Sequence, residues 1–174
     1  FPEIHPSPND LNSALGEVMM LFQQAHPQID FRARLESRLP VFDFDRDQIK
    51  RVLMNLMSNA VAAFSDLPQT RLLRIEVATH FNEQLKMAVI EVSDNGKGMS
   101  DEVKARIFEP YFSTRAEGTG LGLAIVKRIV NDHDGFLRAH SSAGEGTSFL
   151  IELPTSPRFG SDKAQPRFSS LMNQ

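Results

Sequence analysis

The segment IEVSDNGKGM at residues 90–99 passes from an apolar strand pattern into a turn rich in glycine. Alternate residues of a strand share a face, so Asp94 is predicted on the core face together with Ile90 and Val92. A carboxylate there is costly to bury unless a hydrogen-bond donor meets it, and the exocyclic amine of a purine is a suitable donor. The glycines allow the backbone to turn sharply and to approach a flat ligand closely. The alternative is an Asp-Asn-Gly turn that simply closes a hairpin.

Periodic patterns on both sides of this segment predict one domain built from helices and a sheet. Alternating apolar residues predict five strands, at residues 29–35, 73–77, 88–92, 136–141 and 148–153, of which the second and third form a hairpin. Helical spacing predicts four helices, which begin near Asn9 or Asp10, near Asp45 or Asp47, at Ser100 and at Leu121, the last stopping at Gly135. We therefore expect an α+β two-layer sandwich, with a mixed, mostly antiparallel sheet and helices on one face.

The composition suits a single globular domain with flanking segments. The chain has 174 residues and a net charge of −3, and this mild acidity argues against nucleic-acid binding. It has no cysteine, which excludes disulfides and thiolate metal sites, and no apolar run approaches the roughly 20 residues that span a bilayer. Three prolines in residues 1–9 predict an extended linker, and the polar residues 155–174 predict a flexible tail, so the domain is placed at residues 10–154.

The long predicted helix carries Asn55 and Asn59, which are four residues apart and therefore lie along one ridge. An amide oxygen is a hard, neutral ligand that suits Mg²⁺ when phosphates and waters complete the coordination. The alternative is that both are ordinary surface asparagines.

Glycines also mark two later segments. GTGLGL at residues 118–123 runs into a predicted helix, and it can expose backbone N–H groups to an anion at the helix N-terminus. It is neither a dinucleotide fingerprint, since no strand immediately precedes it, nor a Walker A loop, since Gly-Lys-Ser/Thr is absent. GEGT at residues 144–147 precedes a strand, and the Thr147 hydroxyl can bridge a buried carboxylate and a base edge. A tight hairpin turn is the alternative for this second segment.

The segment FEPYFSTR at residues 108–115 has aromatic residues followed by small polar residues and an arginine. This order is typical of a hinged lid, in which Arg115 can hold a terminal phosphate. An ordinary loop pinned by its aromatic residues is the alternative.

Taken together and in this order, five segments closely resemble the N, G1, F, G2 and G3 boxes of sensor histidine kinases: NLMSNA (55–60), DNGKGM (94–99), FEPYF (108–112), GTGLGL (118–123) and GEGT (144–147). These kinases belong to a superfamily with gyrase, Hsp90 and MutL that shares the Bergerat ATP-binding fold. The resemblance covers about residues 10–154. The lid YFSTRAEGTGLGLAI is similar to that of nitrogen-regulation sensor kinases, which indicates the NtrY- and NtrB-like branch.

The resemblance implies a role for each matching residue, with ATP and Mg²⁺ as cofactors. Asn59 would bind Mg²⁺, Asn55 would support the phosphates, and Arg115 would contact the γ-phosphate. Asp94 would accept from the adenine amine, directly and through a water shared with Thr147. The implied catalytic residues are Asn55, Asn59 and Arg115. The implied cofactor-binding residues are Asn59, Ala63, Asp94, Gly96, Gly98, Met99, Ser113, Thr114, Arg115, Gly118, Thr119, Gly120, Leu121, Gly122, Leu123 and Thr147. Phe108 and Phe112 would anchor the lid.

The implied function is that of a protein-histidine kinase fragment with little activity alone. It would transfer the γ-phosphoryl group to a histidine on a separate dimerisation domain, for relay to a response regulator. None of the five histidines has an acidic neighbour on a long amphipathic helix, the setting expected of the phosphorylated residue. We expect a monomeric, cytoplasmic domain of an inner-membrane sensor kinase.

One departure from the family pattern and three rival functions remain. Many such kinases carry a lysine or arginine three residues after the Mg²⁺ asparagine, where this chain has Ala62, so Arg115 or Lys97 would carry more of the phosphate charge. The first rival is an ATP hydrolase of the gyrase, Hsp90 or MutL type, which has a glutamate as general base one turn before that asparagine, and here the position is Asn55. The second rival is an anti-sigma-factor-like serine kinase, and the third is a nucleotide-binding module without catalysis.

Overall fold

The computed structural model describes residues 3–156, in which eleven helices and strands follow one another. Most of the predicted C-terminal tail lies outside the described residues. In chain order the elements are β1 (Ser7–Asn9), α1 (Leu11–Ala25), β2 (Asp30–Arg34), β3 (Phe42–Phe44), α2 (Arg46–Ala62), β4 (Arg74–Asn82), β5 (Met87–Asp94), α3 (Asp101–Lys104), α4 (Gly122–Asp132), β6 (Phe136–Ser142) and β7 (Gly146–Pro154).

The main sheet has five strands in the order β2-β4-β5-β7-β6. Only β2 and β4 pair in parallel, while the other neighbours are antiparallel, which confirms the prediction of a mixed, mostly antiparallel sheet. Asp94, at the end of β5, lies opposite Ile75 of β4 and Thr147 of β7. The register therefore brings the segments DNGKGM and GEGT to the same end of the sheet.

The long helices cover one face of this sheet. Apolar side chains of α1, α2 and α4 form one core with the inward-facing residues of the strands, among them Leu53, Leu56, Ile75, Ile90 and Ile151. The opposite face carries polar residues such as Glu76 and Glu91, which remain partly exposed. This arrangement confirms the predicted two-layer α+β sandwich. Among residues 3–156, no helix has the length and apolar character required to cross a bilayer.

Side chains cap three of the helices at the residues that the sequence indicated. Asp10 accepts a hydrogen bond from the Ser13 N–H at 3.1 Å, and Asp45 accepts one from the Gln48 N–H at 3.0 Å. Ser100 does the same for the N–H of Val103. Each cap satisfies a backbone donor that the first helical turn leaves free, which fixes where the helix begins.

The fold differs from the sequence-based expectation in the segment before α1. The proline-rich residues before α1 are extended, but Ser7–Asn9 forms β1 and pairs antiparallel with β3, a strand that the alternation did not reveal. Helix α4, by contrast, stops before Gly135 as predicted, and the residue with positive φ there is Asp134 (55°). Gly135 is required for a different reason, because a Cβ there would lie 2.6 Å from the Glu152 carbonyl oxygen.

Candidate functional site

A cavity of about 370 Å³ opens between the end of the sheet, α2, α3 and the start of α4. Its volume falls within the usual range for small-molecule sites. Asp94 and Thr147 line it from the sheet, Asn55 and Asn59 line it from α2, and Arg115 lines it from the loop before α4. Segments far apart in the sequence therefore meet around one space.

Asp94 is the one carboxylate among the described residues that line this cavity. Burial raises the pKa of its carboxyl to about 6, although backbone N–H groups of Gly96 and Thr147 act in the opposite direction. The Gly96 N–H donates to Asp94 Oδ1 at 2.8 Å. The loop after β5 and strand β7 hold the carboxylate in place. Because a carboxylate can accept several hydrogen bonds, Asp94 can still accept one from a ligand amine inside the cavity.

The two glycines of DNGKGM have different roles. Gly98 lines the cavity with φ of +66°, and a Cβ there would lie 2.0 Å from the Ser142 carbonyl oxygen. Gly96 does not line the cavity, because it packs behind Asp94, where a Cβ would lie 2.6 Å from Ala63 Cβ. The Lys97 N–H donates to the Ala63 carbonyl at 2.9 Å and ties this loop to the end of α2. Gly96 thus packs against the end of α2, and Gly98 allows the loop to pack closely against the backbone of Ser142.

Thr147 is 8% exposed and lines the cavity beside Asp94. Its hydroxyl lies 2.9 Å from Ser141 Oγ, which also accepts a bond from the Met99 N–H at 2.8 Å. Met99 lines the same wall. The glycine before the threonine is equally constrained, because Gly146 has φ of +103° and a Cβ there would lie 2.1 Å from the Asp94 carbonyl oxygen.

The opposite wall is formed by α2. The residues that line the cavity from this side are Asn55, Ser58, Asn59, Ala62 and Ala63. Asn55 lies against the start of α4, since a Cβ on Gly122 would be 3.2 Å from its Oδ1. In residues 3–156 no three His, Asp or Glu side chains cluster as a metal site. A hard cation bound here would therefore need oxygens from the ligand in addition to an asparagine amide.

The loop between α3 and α4 is anchored by aromatic residues. The rings of Phe108 and Phe149 meet edge to face at 6.5 Å, and the Arg106 guanidinium lies 4.4 Å from the centre of the Phe112 ring. Tyr111 has a positive φ of 65°, and its N–H donates to the Gly120 carbonyl at 2.9 Å. These contacts hold the base of the loop.

The part of this loop that faces the cavity is formed by Ser113, Thr114 and Arg115. Ser113 Oγ accepts the Arg115 N–H at 3.1 Å. Gly118 lies outside the cavity and closes this turn, because a Cβ there would be 2.2 Å from Ser113 Oγ. Gly118 therefore shapes the loop, and its predicted phosphate contact stays a prediction.

The remaining glycine-rich residues lead directly into α4. Thr119, Gly120, Gly122 and Leu123 line the cavity, whereas Leu121 does not. Leu121 is the N-cap residue of α4 and has no side-chain cap bond, and its carbonyl accepts the Ile125 N–H at 2.9 Å. The N-terminus of an eleven-residue helix thus meets the cavity, where its free N–H groups and dipole favour an anion.

Several lining residues were not predicted, and most of them are apolar. Val103, Ile107 and Phe149 form an apolar wall, and Ser58 and Ser100 add hydroxyls. Phe149 could have been found, because in β7 it shares a face with Thr147. Lys97 and Arg115 are the cations among the described lining residues, and Ala62 leaves the α2 side uncharged.

Residues 44–157 match the family model of histidine kinase-, DNA gyrase B- and HSP90-like ATPases, and the chain belongs to this family. Its curated relatives include the signal transduction histidine-protein kinase AtoS of Escherichia coli K12, which is 37% identical over 150 residues, covering 85% of this chain and 24% of AtoS. The nitrogen regulation protein NtrY of Azorhizobium caulinodans is 32% identical over 144 residues, covering 83% of this chain and 18% of NtrY. Sensor kinases named ZraS and DctS are comparably similar, so the nitrogen-regulation branch is one of several. The chain spans less than a third of the length of these relatives.

Solved structures agree with this family. The catalytic domain of the histidine kinase ThkA, in a nucleotide-free form, is 29% identical and superposes with a TM-score of 0.77, covering 88% of this chain and 98% of that one. ThkA in complex with the response regulator TrrA is 27% identical with a TM-score of 0.71, covering 87% of this chain and 42% of that one. The fold is therefore that of the catalytic ATP-binding domains of sensor histidine kinases, as the five sequence boxes indicated.

Proposed function

We propose that this chain is the ATP-binding catalytic domain of a two-component sensor histidine kinase. It would transfer the γ-phosphoryl group of ATP to a histidine on a dimerisation domain, from which a response regulator receives it. The observation that carries the proposal is that Asp94 and Asn59 line the same cavity, with the N-terminus of α4 opening into it. A purine, a metal and a chain of phosphates each have a matching group there.

The adenine end of the site would lie against the sheet. The Asp94 carboxylate accepts from the exocyclic amine, and the Thr147 hydroxyl reaches the same base edge through water. Met99, Ile107 and Phe149 supply apolar surface for the flat ring. The buried, partnered carboxylate favours an amine donor over a carbonyl, which selects adenine over guanine.

The phosphate end would lie between α2, the lid and α4. The N–H groups at the start of α4 and the Arg115 guanidinium offset the negative charge, with Lys97 as the second cation. The Asn59 amide oxygen, supported by Asn55, suits Mg²⁺ that also binds the phosphates. Bound Mg²⁺ would neutralise charge on the phosphates during transfer.

The residues favour transfer to a histidine over hydrolysis. Activation of water requires a base close to the terminal phosphate. Asn55 occupies the position at which the hydrolases carry a glutamate, and an amide cannot take a proton. Among the described lining residues Asp94 is the one carboxylate, and it belongs to the adenine end. The chain's work would therefore be to position and neutralise the phosphates, while the acceptor comes from outside.

The wider setting follows from the same proposal. Residues 1–9 would join this domain to the dimerisation domain, and residues 155–174 would form a tail. The isolated domain would be a monomer on the cytoplasmic side of an inner-membrane sensor kinase, where ATP is available. The lid sequence supports the nitrogen-regulation branch as the narrower assignment.

The test is to incubate the chain with γ-labelled ATP, Mg²⁺ and a dimerisation fragment prepared from the full-length protein. We expect label on a histidine of the fragment, in a form that is stable to alkali and labile to acid. Steady release of inorganic phosphate by the chain alone, without labelled histidine, would instead favour an ATP hydrolase. Arg115→Lys keeps the positive charge but loses the planar guanidinium. This variant therefore separates the effect of charge at residue 115 from that of bidentate contact with the phosphate.

A further inference from the structure

A buried hydrogen-bond junction joins α2 and α4 at the ends that lie away from the cavity. His133 directly follows α4 and is 2% exposed. Its Nε2 lies 3.0 Å from the backbone nitrogen of Asp45, and its Nδ1 lies 2.7 Å from the Ile129 carbonyl oxygen. The Asp45 N–H can only donate, so Nε2 is the acceptor and Nδ1 carries the proton that Ile129 accepts.

Asp45 extends this junction to a third segment. Its Oδ1 caps α2 by accepting the Gln48 N–H at 3.0 Å, and its Oδ2 accepts the His5 N–H at 2.8 Å. Asp45 as a whole residue is 8% exposed. One residue therefore holds the start of α2, the end of α4 and the N-terminal segment.

The same two helices meet again at the cavity. Asp45 contacts His133 at one end of the pair, and Asn55 lies against Gly122 at the other. The helices therefore run antiparallel, and the two contacts are about 15 Å apart along α2, at roughly 1.5 Å per residue. At the cavity the fit leaves little slack, because even a Cβ on Gly122 would lie 3.2 Å from Asn55 Oδ1.

We propose that His133 is a positioning residue for the phosphate end of the nucleotide site. By holding α4 in axial register with α2, it keeps the N–H groups at the start of α4 opposite the Asn55 and Asn59 amides. This inference rests on the proposed function, since it assigns the phosphates to that gap. The adenine end does not depend on this register, because Asp94 and Thr147 are paired strand residues of the sheet.

The axial register of α4 on α2 therefore affects binding of the phosphates but not of the adenine. This difference distinguishes a positioning role of His133 from a purely stabilising one. A slip of α4 along α2 weakens binding of ATP but leaves adenosine binding unchanged. A general loss of stability instead lowers the active fraction for both ligands alike. The decisive readout is the ratio of the two dissociation constants, measured on the whole chain by titration calorimetry with Mg²⁺.

A matched pair of amide variants tests the junction. His133→Gln can place an oxygen near the position of Nε2 and accept from Asp45, whereas the shorter His133→Asn keeps only the contact near Ile129. We expect His133→Asn to weaken ATP binding on the order of tenfold, the effect of weakening one hydrogen bond from the start of α4 to a charged phosphate, with adenosine binding unchanged within about twofold. We expect His133→Gln to restore most of the affinity for ATP.

A second pair of variants, at the exposed residue His5, tests the positioning role if His133→Asn does not fold. His5 is exposed, so its side chain is dispensable; His5→Pro removes the backbone N–H that Asp45 Oδ2 accepts and restricts the local backbone, whereas His5→Ala keeps the N–H. We expect His5→Pro to weaken ATP binding about threefold relative to His5→Ala, with no change for adenosine. Thr79→Val is the stability control, because Thr79 is 1% exposed and bonds to Asn12 and Glu36 away from the cavity.

The outcomes separate this inference from the function on which it rests. A wild-type chain that binds ATP no better than adenosine lacks a phosphate end, and both proposals then fail. A wild-type preference for ATP that His133→Asn and His5→Pro leave unchanged overturns the positioning role alone. A fall in both affinities, matched by Thr79→Val, overturns it as well.

Discussion

Asp94→Asn is expected to stabilise the chain while it removes nucleotide binding. Burial raises the pKa of the Asp94 carboxyl from its ordinary value of 3.8 to about 6. Because the folded-state pKa lies above the unfolded one, the folded chain binds the proton more tightly. Its stability therefore falls as the pH rises from 3.8 to about 6 and stays at the lower level above pH 6.

The size of this effect follows from the pKa difference. A gap between 3.8 and about 6 corresponds to about 3 kcal/mol at neutral pH, and partial exposure of the carboxyl lowers this to about 1–3 kcal/mol. Asparagine carries no charge to desolvate, so Asp94→Asn recovers this free energy of unfolding. For a chain of this length, the melting temperature rises by about 3–9 °C at pH 7.5.

The variant loses ATP binding for a geometric reason. The side-chain oxygen of asparagine is needed by the Gly96 N–H, which now donates to Asp94 Oδ1 at 2.8 Å. The amide NH₂ is then left facing the adenine amine, donor against donor. We expect ATP affinity to fall about 30-fold or more, because the buried amine is left without an acceptor.

Scanning calorimetry at pH 7.5 and pH 4, with and without ATP–Mg²⁺, measures both effects. The stability gain of Asp94→Asn should be nearly lost at pH 4, where the wild-type carboxyl is also protonated. Asp94→Ala separates charge from shape, since it removes the charge and also leaves a space. A variant that melts lower than wild type at pH 7.5, or that still gains stability from ATP, would refute this assignment of Asp94.

Three further predictions concern the same cavity. Gly146→Ala should destabilise the fold by about 3 kcal/mol or more in urea unfolding, because its Cβ would lie 2.1 Å from the Asp94 carbonyl oxygen. The control Gly144→Ala should cost about 1–2 kcal/mol, because that residue has φ of +83° but open space around it. Equal costs for the two variants would contradict the close approach at Gly146. Ala62→Lys should tighten ATP binding about threefold at low salt but not adenosine binding, with Ala62→Met as the uncharged control, and a gain that persists at 1 M salt would be inconsistent with a charge effect. Wild-type affinity for ATP should fall as the pH drops below about 6, because protonation of Asp94 removes the negative charge that strengthens its bond to the amine, and an affinity that is the same at pH 7.5 and pH 5 would contradict this role of Asp94.

Local rules were sufficient to predict most of the fold. The caps at Asp10, Asp45 and Ser100 and the hairpin of β4 and β5 follow from short-range pattern and side-chain chemistry. The pairing of β1 with β3 does not, because both strands are three residues long and their partners lie far apart in the sequence. The stop of α4 before Gly135 was predicted, but the positive φ of Asp134 and the contact of Gly135 with the Glu152 carbonyl oxygen were not, because both depend on tertiary packing.

The candidate site shows the same division between local and long-range information. Asp94 on the core face of β5 could be predicted from alternation alone, and the structure brings it to the cavity with Thr147 and Asn59. The roles of Gly96 and Gly118 could not, since both depend on neighbours supplied by other parts of the fold, Ala63 and Ser113. The contribution of Val103 and Ile107 to the apolar wall likewise depends on packing that no short motif specifies.

Chemical-shift mapping of the ¹⁵N-labelled chain with ATP–Mg²⁺ is the most direct test that purine and phosphates share one cavity. The expected result is a continuous set of shifted amides around Asp94, Gly98, Asn59 and Gly122, with adenosine shifting only those near Asp94 and Gly98. Shifts confined to the exposed face of the sheet around Glu91, or no saturable shifts, would mean that the cavity is not the nucleotide site.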